Sequence, residues 1–127
     1  MATIEAIHTS NAPQAIGPYS QAIRVDNLAF ISGQIPLDPD TMEIVPGGIT
    51  EQAGQVFKNL AAVISASGSS MADTIKLTIY LTDLGDFPLI NEIMATYYSE
   101  PYPARATVEV RALPRGALIE VDAVVAL

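Results

Sequence analysis

The sequence predicts an α+β fold, in which a mixed β-sheet carries two helices on one of its faces. Three observations favour this class: short β-branched or alternating segments, two longer segments with helical periodicity, and the interleaving of the two kinds of segment. Strands separated by a helix need a crossover connection, whereas strands joined by a tight turn are antiparallel neighbours. The predicted order is β-β-β-α-β-α-β-β, and 127 residues fit a single domain over 1–127.

The first third of the chain predicts three strands. We expect the first at Thr3–His8. Tyr19–Val25 and Leu28–Ser32 flank Asp26-Asn27, a pair typical of a two-residue hairpin turn. Gly33–Gly48 contains three prolines and predicts a long surface connection.

Two helices are predicted in the middle of the chain. Thr50 is the expected N-cap of a helix that runs to about Ser67 and stops at Gly68. Asp86 is the expected cap of a second helix, and Pro88 is tolerated there because it falls in the first turn. The apolar residues spaced for a buried face are Ala53, Val56, Phe57, Leu60, Val63 and Ile64 in the first helix and Phe87, Ile90, Ile93, Met94 and Tyr97 in the second.

The second half of the chain predicts three more strands. Residues 75–81 alternate between apolar and more polar side chains, a pattern typical of a half-buried strand. Arg105–Val110 and Leu118–Val125 predict the last two strands, joined by the turn-rich segment Leu113–Gly116. The sheet face that the helices leave uncovered must be buried elsewhere, so we expect an oligomer.

Composition narrows the class of function. Half of the residues are apolar, 16% are charged and the net charge is −8, with the six cations spread along the chain. Nucleic-acid binding requires clustered cations, so nucleic acid is not an expected partner. The chain has no cysteine, and its single histidine, His8, cannot form a two-histidine metal site. We expect neither a signal peptide nor a membrane span, and therefore a cytoplasmic protein.

Arg105 is the main candidate for binding a ligand. It begins a predicted strand, and a guanidinium there can hold a carboxylate through two parallel hydrogen bonds. Alternation places Arg105, Thr107 and Glu109 on one strand face, and Glu120 and Asp122 on one face of the next strand. If these strands form a symmetric hairpin, Thr107 faces Glu120 and Arg105 faces Asp122, all on the same side. From these residues alone, a structural ion pair is the simpler interpretation.

Two loop-to-strand junctions supply further candidates. Tyr19 lies where a proline-containing loop enters a strand, either to offer its phenol to a ligand or to pack beneath the loop. Gly33 follows Ser32 at a strand exit, where the missing side chain would let a ligand approach the backbone, although an ordinary strand exit explains it as well.

Taken together, the chain resembles the RidA (YjgF) family of enamine/imine deaminases. The similarity spans essentially the whole chain, and the combination of segments in order is more specific than any one of them. The matching segments are Ala15–Gln21, Ser32–Pro36, Pro103–Arg105, Val108–Val110, Leu113-Pro114 and Ile119–Val121.

The resemblance implies a chorismate-mutase-like α+β fold and a homotrimer with ligand clefts between subunits. It implies hydrolysis of 2-imino acids, chiefly 2-iminobutanoate and 2-iminopropanoate, to 2-oxo acids and ammonia, with no cofactor and no metal. It implies that Arg105 binds the substrate carboxylate and that Glu120, helped by Thr107, holds the attacking water. The cleft-lining positions that it implies are Tyr19, Ser32, Gly33 and Asn91.

The chain departs from the family pattern at two points, and three other functions are alternatives to imine hydrolysis. Thr107 stands where many bacterial members carry a cysteine, and the segment before Pro103 is shorter than in familiar bacterial members, which leaves the preferred imine open. The alternatives are a non-catalytic regulator that binds small carboxylates, a chaperone-like trimer, and the ribonuclease or translation-inhibitor role sometimes attached to the family. The charge of −8 and the lone His8 argue against ribonuclease activity.

Overall fold

The computed structural model describes residues 3–127, and its strands and helices follow one another in the predicted order. The bounds of the elements differ from expectation by a few residues, mainly because the second strand is shorter and the third strand is longer. The elements are β1 (Ile4–Ile7), β2 (Ala22–Val25), β3 (Leu28–Gln34), α1 (Ile49–Ala66), β4 (Thr74–Leu81), α2 (Phe87–Tyr97), β5 (Ala104–Glu109) and β6 (Ile119–Ala126).

The six strands form one mixed sheet in the order β1-β2-β3-β6-β4-β5. Among the strand pairs of the described residues, β4 and β5 alone are parallel, because α2 carries the chain from the end of one to the start of the other. The predicted hairpin turn at Asp26-Asn27 is confirmed, since Val25 pairs with Leu28. The predicted hairpin between β5 and β6 is wrong. The crossover leaves β5 at the sheet edge, and β6 returns to the opposite side of β4, where it pairs with both β3 and β4.

The helix α1 begins two residues earlier than predicted. Its N-cap is Gly48 rather than Thr50, and the backbone N–H of Gly48 donates to Oε1 of Glu51 at 2.7 Å. At the other end, Arg24 of β2 donates to the backbone oxygen of Ser67 at 3.2 Å, placing a cation at the carboxyl end of the helix. Within residues 3–127, neither helix is long and apolar enough to cross a membrane.

The core lies between the sheet and the two helices. Phe57 and Leu60 of α1 and Leu77 and Ile79 of β4 are fully buried there. The residue Ile75, expected on the same buried face, is instead 45% exposed. An irregularity in the β4–β6 register between residues 74 and 76 turns the chain at this point, so the threonine at position 74 takes the buried place.

No helix formed by residues 3–127 packs on the opposite face of the sheet. Phe30 and Val108 point there and are 47% and 42% exposed, and Tyr80 and Val124 are half-buried on the same face. An uncovered sheet face with large apolar side chains is typical of a surface that contacts another molecule.

Candidate functional site

Arg105 is held in place by α2. The register of β5 with β4 puts Arg105 beside the buried Leu77, so its side chain points to the helix-covered face. Its Nη1 group donates to Oδ1 of Asn91 and lies 3.5 Å from the sulfur of Met94. The guanidinium carbon is 4.9 Å from the centroid of the Phe87 ring. Three contacts from one helix therefore fix the orientation of the guanidinium.

A cavity of about 460 Å³ opens beside this guanidinium. Within residues 3–127, the hydrogen bonds of the Arg105 side chain all come from Nη1, which leaves the Nε and Nη2 groups to donate to a ligand. Two parallel N–H groups of this kind match the two oxygens of a carboxylate. The residues that line the cavity are Asn91, Met94, Ala95, Tyr102, Pro103 and Arg105.

Thr107 lies on the same strand face as Arg105 but does not line this cavity. It sits beside Ile79, and its Oγ1 atom is buried without a hydrogen-bond partner among residues 3–127. A buried hydroxyl that lacks a partner is unusual in a folded protein, so a further hydrogen-bond partner is expected at this position. We refer to Asn91, Arg105 and Thr107 as the β5 group.

A second group of predicted site residues gathers around the end of β3. Gly33 lies against the Glu120 side chain so closely that a Cβ atom there would be 2.9 Å from Cδ of Glu120. The hydroxyl of Ser32 donates to the backbone oxygen of Ser20. Tyr19 and Gly33 line the same small cavity of about 60 Å³, and the Tyr19 side chain is 53% exposed. We refer to Tyr19, Ser32, Gly33 and Glu120 as the β3 group.

The buried side chain of Gln21 holds the loop that carries Tyr19. Its amide nitrogen donates to the backbone oxygens of Thr9 and Pro13 at 3.0 and 2.8 Å, and its Oε1 atom accepts from the Thr9 N–H at 2.7 Å. Gln21 also accepts the Ser32 N–H at its backbone oxygen. The side chain of Gln21 thus ties the loop together, and its backbone joins the loop to β3. Sequence reasoning did not identify this role of Gln21.

The surroundings of the Glu120 carboxyl change its pKa. Burial, followed by the negative charge of Asp122, raises the pKa of Glu120 above its ordinary value. The Tyr80 hydroxyl donates to Oδ2 of Asp122 at 3.0 Å, and burial together with this hydrogen bond raises the pKa of Tyr80. A carboxyl whose pKa is raised above its ordinary value is better suited to accepting and returning a proton.

The two groups do not meet within one protomer. Glu120 pairs with Tyr80 of β4, whose side chain points to the uncovered face, whereas Arg105 points to the helix-covered face. Adjacent strands are about 4.8 Å apart and β4 lies between β5 and β6, so Arg105 and Glu120 are roughly 10 Å apart along the sheet. The thickness of the sheet separates them further. The predicted convergence of Arg105, Thr107 and Glu120 across a hairpin is therefore wrong, because the hairpin does not form and β4 lies between the strands.

Sequence reasoning also missed the wall of the larger cavity. Met94 was assigned only to the buried face of α2, and Tyr102 was not identified as a site residue. A signal was present, because Met94 lies three positions after Asn91 and therefore on the same side of α2.

The fold and these two groups define a small α+β protein with a guanidinium at the mouth of a cavity and a carboxyl of raised pKa on a separate face. The family model described as endoribonuclease L-PSP matches residues 9–127. The chain belongs to this family, which is also known as the YjgF/RidA family.

Relatives in the family carry different names. The protein DfrA of Myxococcus xanthus is 54% identical over 94% of this chain and 93% of its own length. A 2-iminobutanoate/2-iminopropanoate deaminase of Mus musculus is 47% identical over 94% of this chain and 89% of its own length. The crystal structure of E. coli TdcF with bound serine superimposes with a TM-score of 0.91 at 38% identity, covering 97% of this chain and 98% of that one.

Proposed function

We propose that this protein hydrolyses reactive 2-imino acids, such as 2-iminobutanoate and 2-iminopropanoate, to 2-oxo acids and ammonia. The observation that carries the proposal is Arg105, whose guanidinium is fixed by α2 and presents two N–H groups beside a cavity. A small α-carboxylate is the ligand that this geometry suits. The name of the mouse relative and the serine bound to E. coli TdcF agree with a substrate of that class.

The proposal requires a second copy of the chain. Arg105 and Glu120 cannot reach one substrate within a protomer, because they lie on opposite faces of the sheet. We infer a homotrimer in which the β5 group of one subunit faces the β3 group of the next. The apolar residues on the uncovered face and the position of β5 at the sheet edge support burial against another copy.

The proposed mechanism needs only residues of the chain and water. Arg105 binds the carboxylate and fixes the imine carbon beside a water molecule. Starting from the protonated imine, Glu120 accepts a proton from that water while the water oxygen bonds to the imine carbon and the C=N electron pair moves to the nitrogen, which gives a carbinolamine. Glu120 then returns this proton to the amino nitrogen, the C–N bond breaks to release ammonia, and Glu120 takes the proton of the hydroxyl as the 2-oxo group forms. Acid–base help of this kind accelerates a reaction by roughly 10²–10⁴-fold.

Glu120 favours an enzyme over a regulator that only binds carboxylates. A second carboxylate close to a bound anion is repulsive, so a pure binding site gains nothing from it, whereas a hydrolase uses it to move protons. Ribonuclease activity is not proposed, because a net charge of −8 opposes the approach of a polyanion.

Replacement of Arg105 tests the carboxylate clamp. We expect Arg105→Ala to abolish enzyme-dependent imine loss and Arg105→Lys to restore little of it, because an ammonium cannot form the two parallel bonds. Imine loss is timed after coupling to a pyridoxal-phosphate threonine dehydratase. Arg111→Ala is the matched control, since it removes the same charge from an exposed arginine outside both groups. Undiminished imine loss in Arg105→Ala, with the control also active, contradicts the proposal.

A further inference from the structure

The strand β3 contains a β-bulge that touches Glu120. The register of β3 with β6 shifts between Ile31 and Gln34, so that two residues of β3, Ser32 and Gly33, lie opposite one residue of β6. A bulge of this kind bends the strand and re-aims the groups around it. Here it brings the backbone of Gly33 against the carboxyl of Glu120, where an added Cβ atom would lie 2.9 Å from Cδ. The position of the bulge therefore determines how the Glu120 carboxyl is packed.

Gln34 holds the bulge from the helix-covered side of the sheet. It pairs with the fully buried Val121, so its side chain points towards the helices and is 6% exposed. The amide nitrogen of Gln34 donates to the backbone oxygen of Ser32 at 3.1 Å, and this bond bridges the bulge. A buried amide left without a partner costs free energy, so the bond and the bulge stabilise each other.

Asn59 of α1 holds the chain that leaves the bulge. Its side chain is fully buried, and its amide nitrogen donates to the backbone oxygens of Ile35 and Leu37 at 3.3 and 2.9 Å. Gln55, one turn earlier in the helix, donates to Oδ1 of Asn59 at 2.8 Å, which directs the NH2 group of Asn59 towards the loop. These contacts lie within one protomer and on the helix-covered side of the sheet, so they do not depend on a second subunit.

We propose that Gln34 and Asn59 are positioning residues, which hold the bulge against the Glu120 carboxyl and so control the acid–base behaviour of that group. Each acts through the backbone of β3 rather than on the substrate. For the effect on turnover, the proposal rests on the imine hydrolysis proposed above. For the effect on the carboxyl itself, it rests on the contacts within the protomer.

The surroundings of Glu120 give the proposal a measurable consequence. Burial is the largest cause of the raised pKa of Glu120, and the backbone of the bulge packs against this carboxyl. The titratable groups beside Glu120 are Asp122 on the same strand and Tyr80 on β4, whereas β3 contains no titratable residue. In the proposed assembly, Arg105 of the next subunit also faces this carboxyl. When the bulge is released, water reaches the carboxyl while these charges stay in place, so the pKa of Glu120 should fall.

Substitutions that roughly keep the side-chain volume but remove the hydrogen bonds test the proposal. The variants are Asn59→Leu and Gln34→Met, and the control is Ser67→Ala, which removes a buried hydrogen bond at the carboxyl end of α1. The pKa of Glu120 is followed by carbon-detected NMR of the side-chain carboxyl in the intact protein, and the signal is assigned by its loss in Glu120→Gln. We expect this pKa to fall in both variants and to stay unchanged in the control. If Asn59→Leu does not fold, Gln34→Met decides, and an unchanged pKa of Glu120 in that variant overturns the proposal.

Turnover distinguishes this inference from the proposed function. The kcat/KM for 2-iminobutanoate is measured as a function of pH for the wild type and Gln34→Met. We expect the variant to lower the maximum by roughly tenfold to 100-fold, because the group that orients water is misplaced, and to move the acidic limb to lower pH. An acidic limb that stays in place overturns the proposal, whether or not the maximum falls. If the wild type clears no imine, the proposed function fails, while the NMR titration still decides whether the bulge controls the carboxyl.

Discussion

Gly33→Ala tests whether the position of the Glu120 carboxyl matters. An added Cβ would lie 2.9 Å from Cδ and 3.2 Å from Cγ of Glu120, and closer still to Oε2, whereas ordinary contact begins at 3.4 Å. The carboxyl carbon must therefore retreat by at least 0.5 Å. The atoms that collide belong to a flexible side chain, so the folding cost should be small, about 1 kcal/mol, at the low end for overpacking.

The effect on activity should be much larger than the effect on stability. A misplacement of this size in a group that orients a reacting water lowers the rate by roughly tenfold to 100-fold. Activity is measured as the loss of 2-iminobutanoate, and the free energy of unfolding is measured by urea titration. The control is Gly54→Ala in α1, where an added Cβ meets nothing within 4 Å and should stabilise the helix by about 0.5–1 kcal/mol. If Gly33→Ala is as active as Gly54→Ala, the position of Glu120 is not used in catalysis.

Two further predictions concern electrostatics and the loop that carries Tyr19. Because the charge of Asp122 contributes to the raised pKa of Glu120, Asp122→Asn should lower that pKa. If catalysis needs ionised Glu120, the acidic limb of the kcat/KM profile then moves to lower pH, and an unmoved limb contradicts the role of Glu120. Gln21→Ala should lower the free energy of unfolding by about 2–3 kcal/mol, because it leaves buried backbone groups without partners. Exposed Gln14→Ala should change it by less than about 0.5 kcal/mol, and urea curves that coincide for the two variants refute the account of Gln21.

The order of elements could be predicted because local signals determine it. The turn at Asp26-Asn27 and the apolar stripe of α1 are properties of short segments, and both occur where predicted. The N-cap was misplaced because Thr50 has the favoured side chain, whereas the helix begins after Gly48 with Glu51 satisfying the N–H group. Cap preferences alone do not distinguish neighbouring candidate start points.

The arrangement of the site could not be predicted from neighbouring segments. β5 and β6 are consecutive in sequence, which favours a hairpin, but β4 takes the place between them. This choice depends on pairings between strands far apart in the chain, including β3 with β6. Sequence reasoning therefore identified Arg105 and Glu120 as candidates. It correctly assigned which residues share a strand face with each of them, but it wrongly placed both residues on the same side of the sheet.

The central claim is that each site combines Arg105 of one subunit with Glu120 of the next, and subunit complementation tests it most directly. Arg105→Ala and Glu120→Gln chains are co-expressed with different affinity tags, and the oligomers that carry both tags are purified. In a cyclic trimer, every mixed assembly has one interface with both residues intact, so we expect about one third of the wild-type activity although each variant alone is inactive. Mixed oligomers as inactive as the two parents would contradict the claim, because a site within one protomer is never restored by mixing.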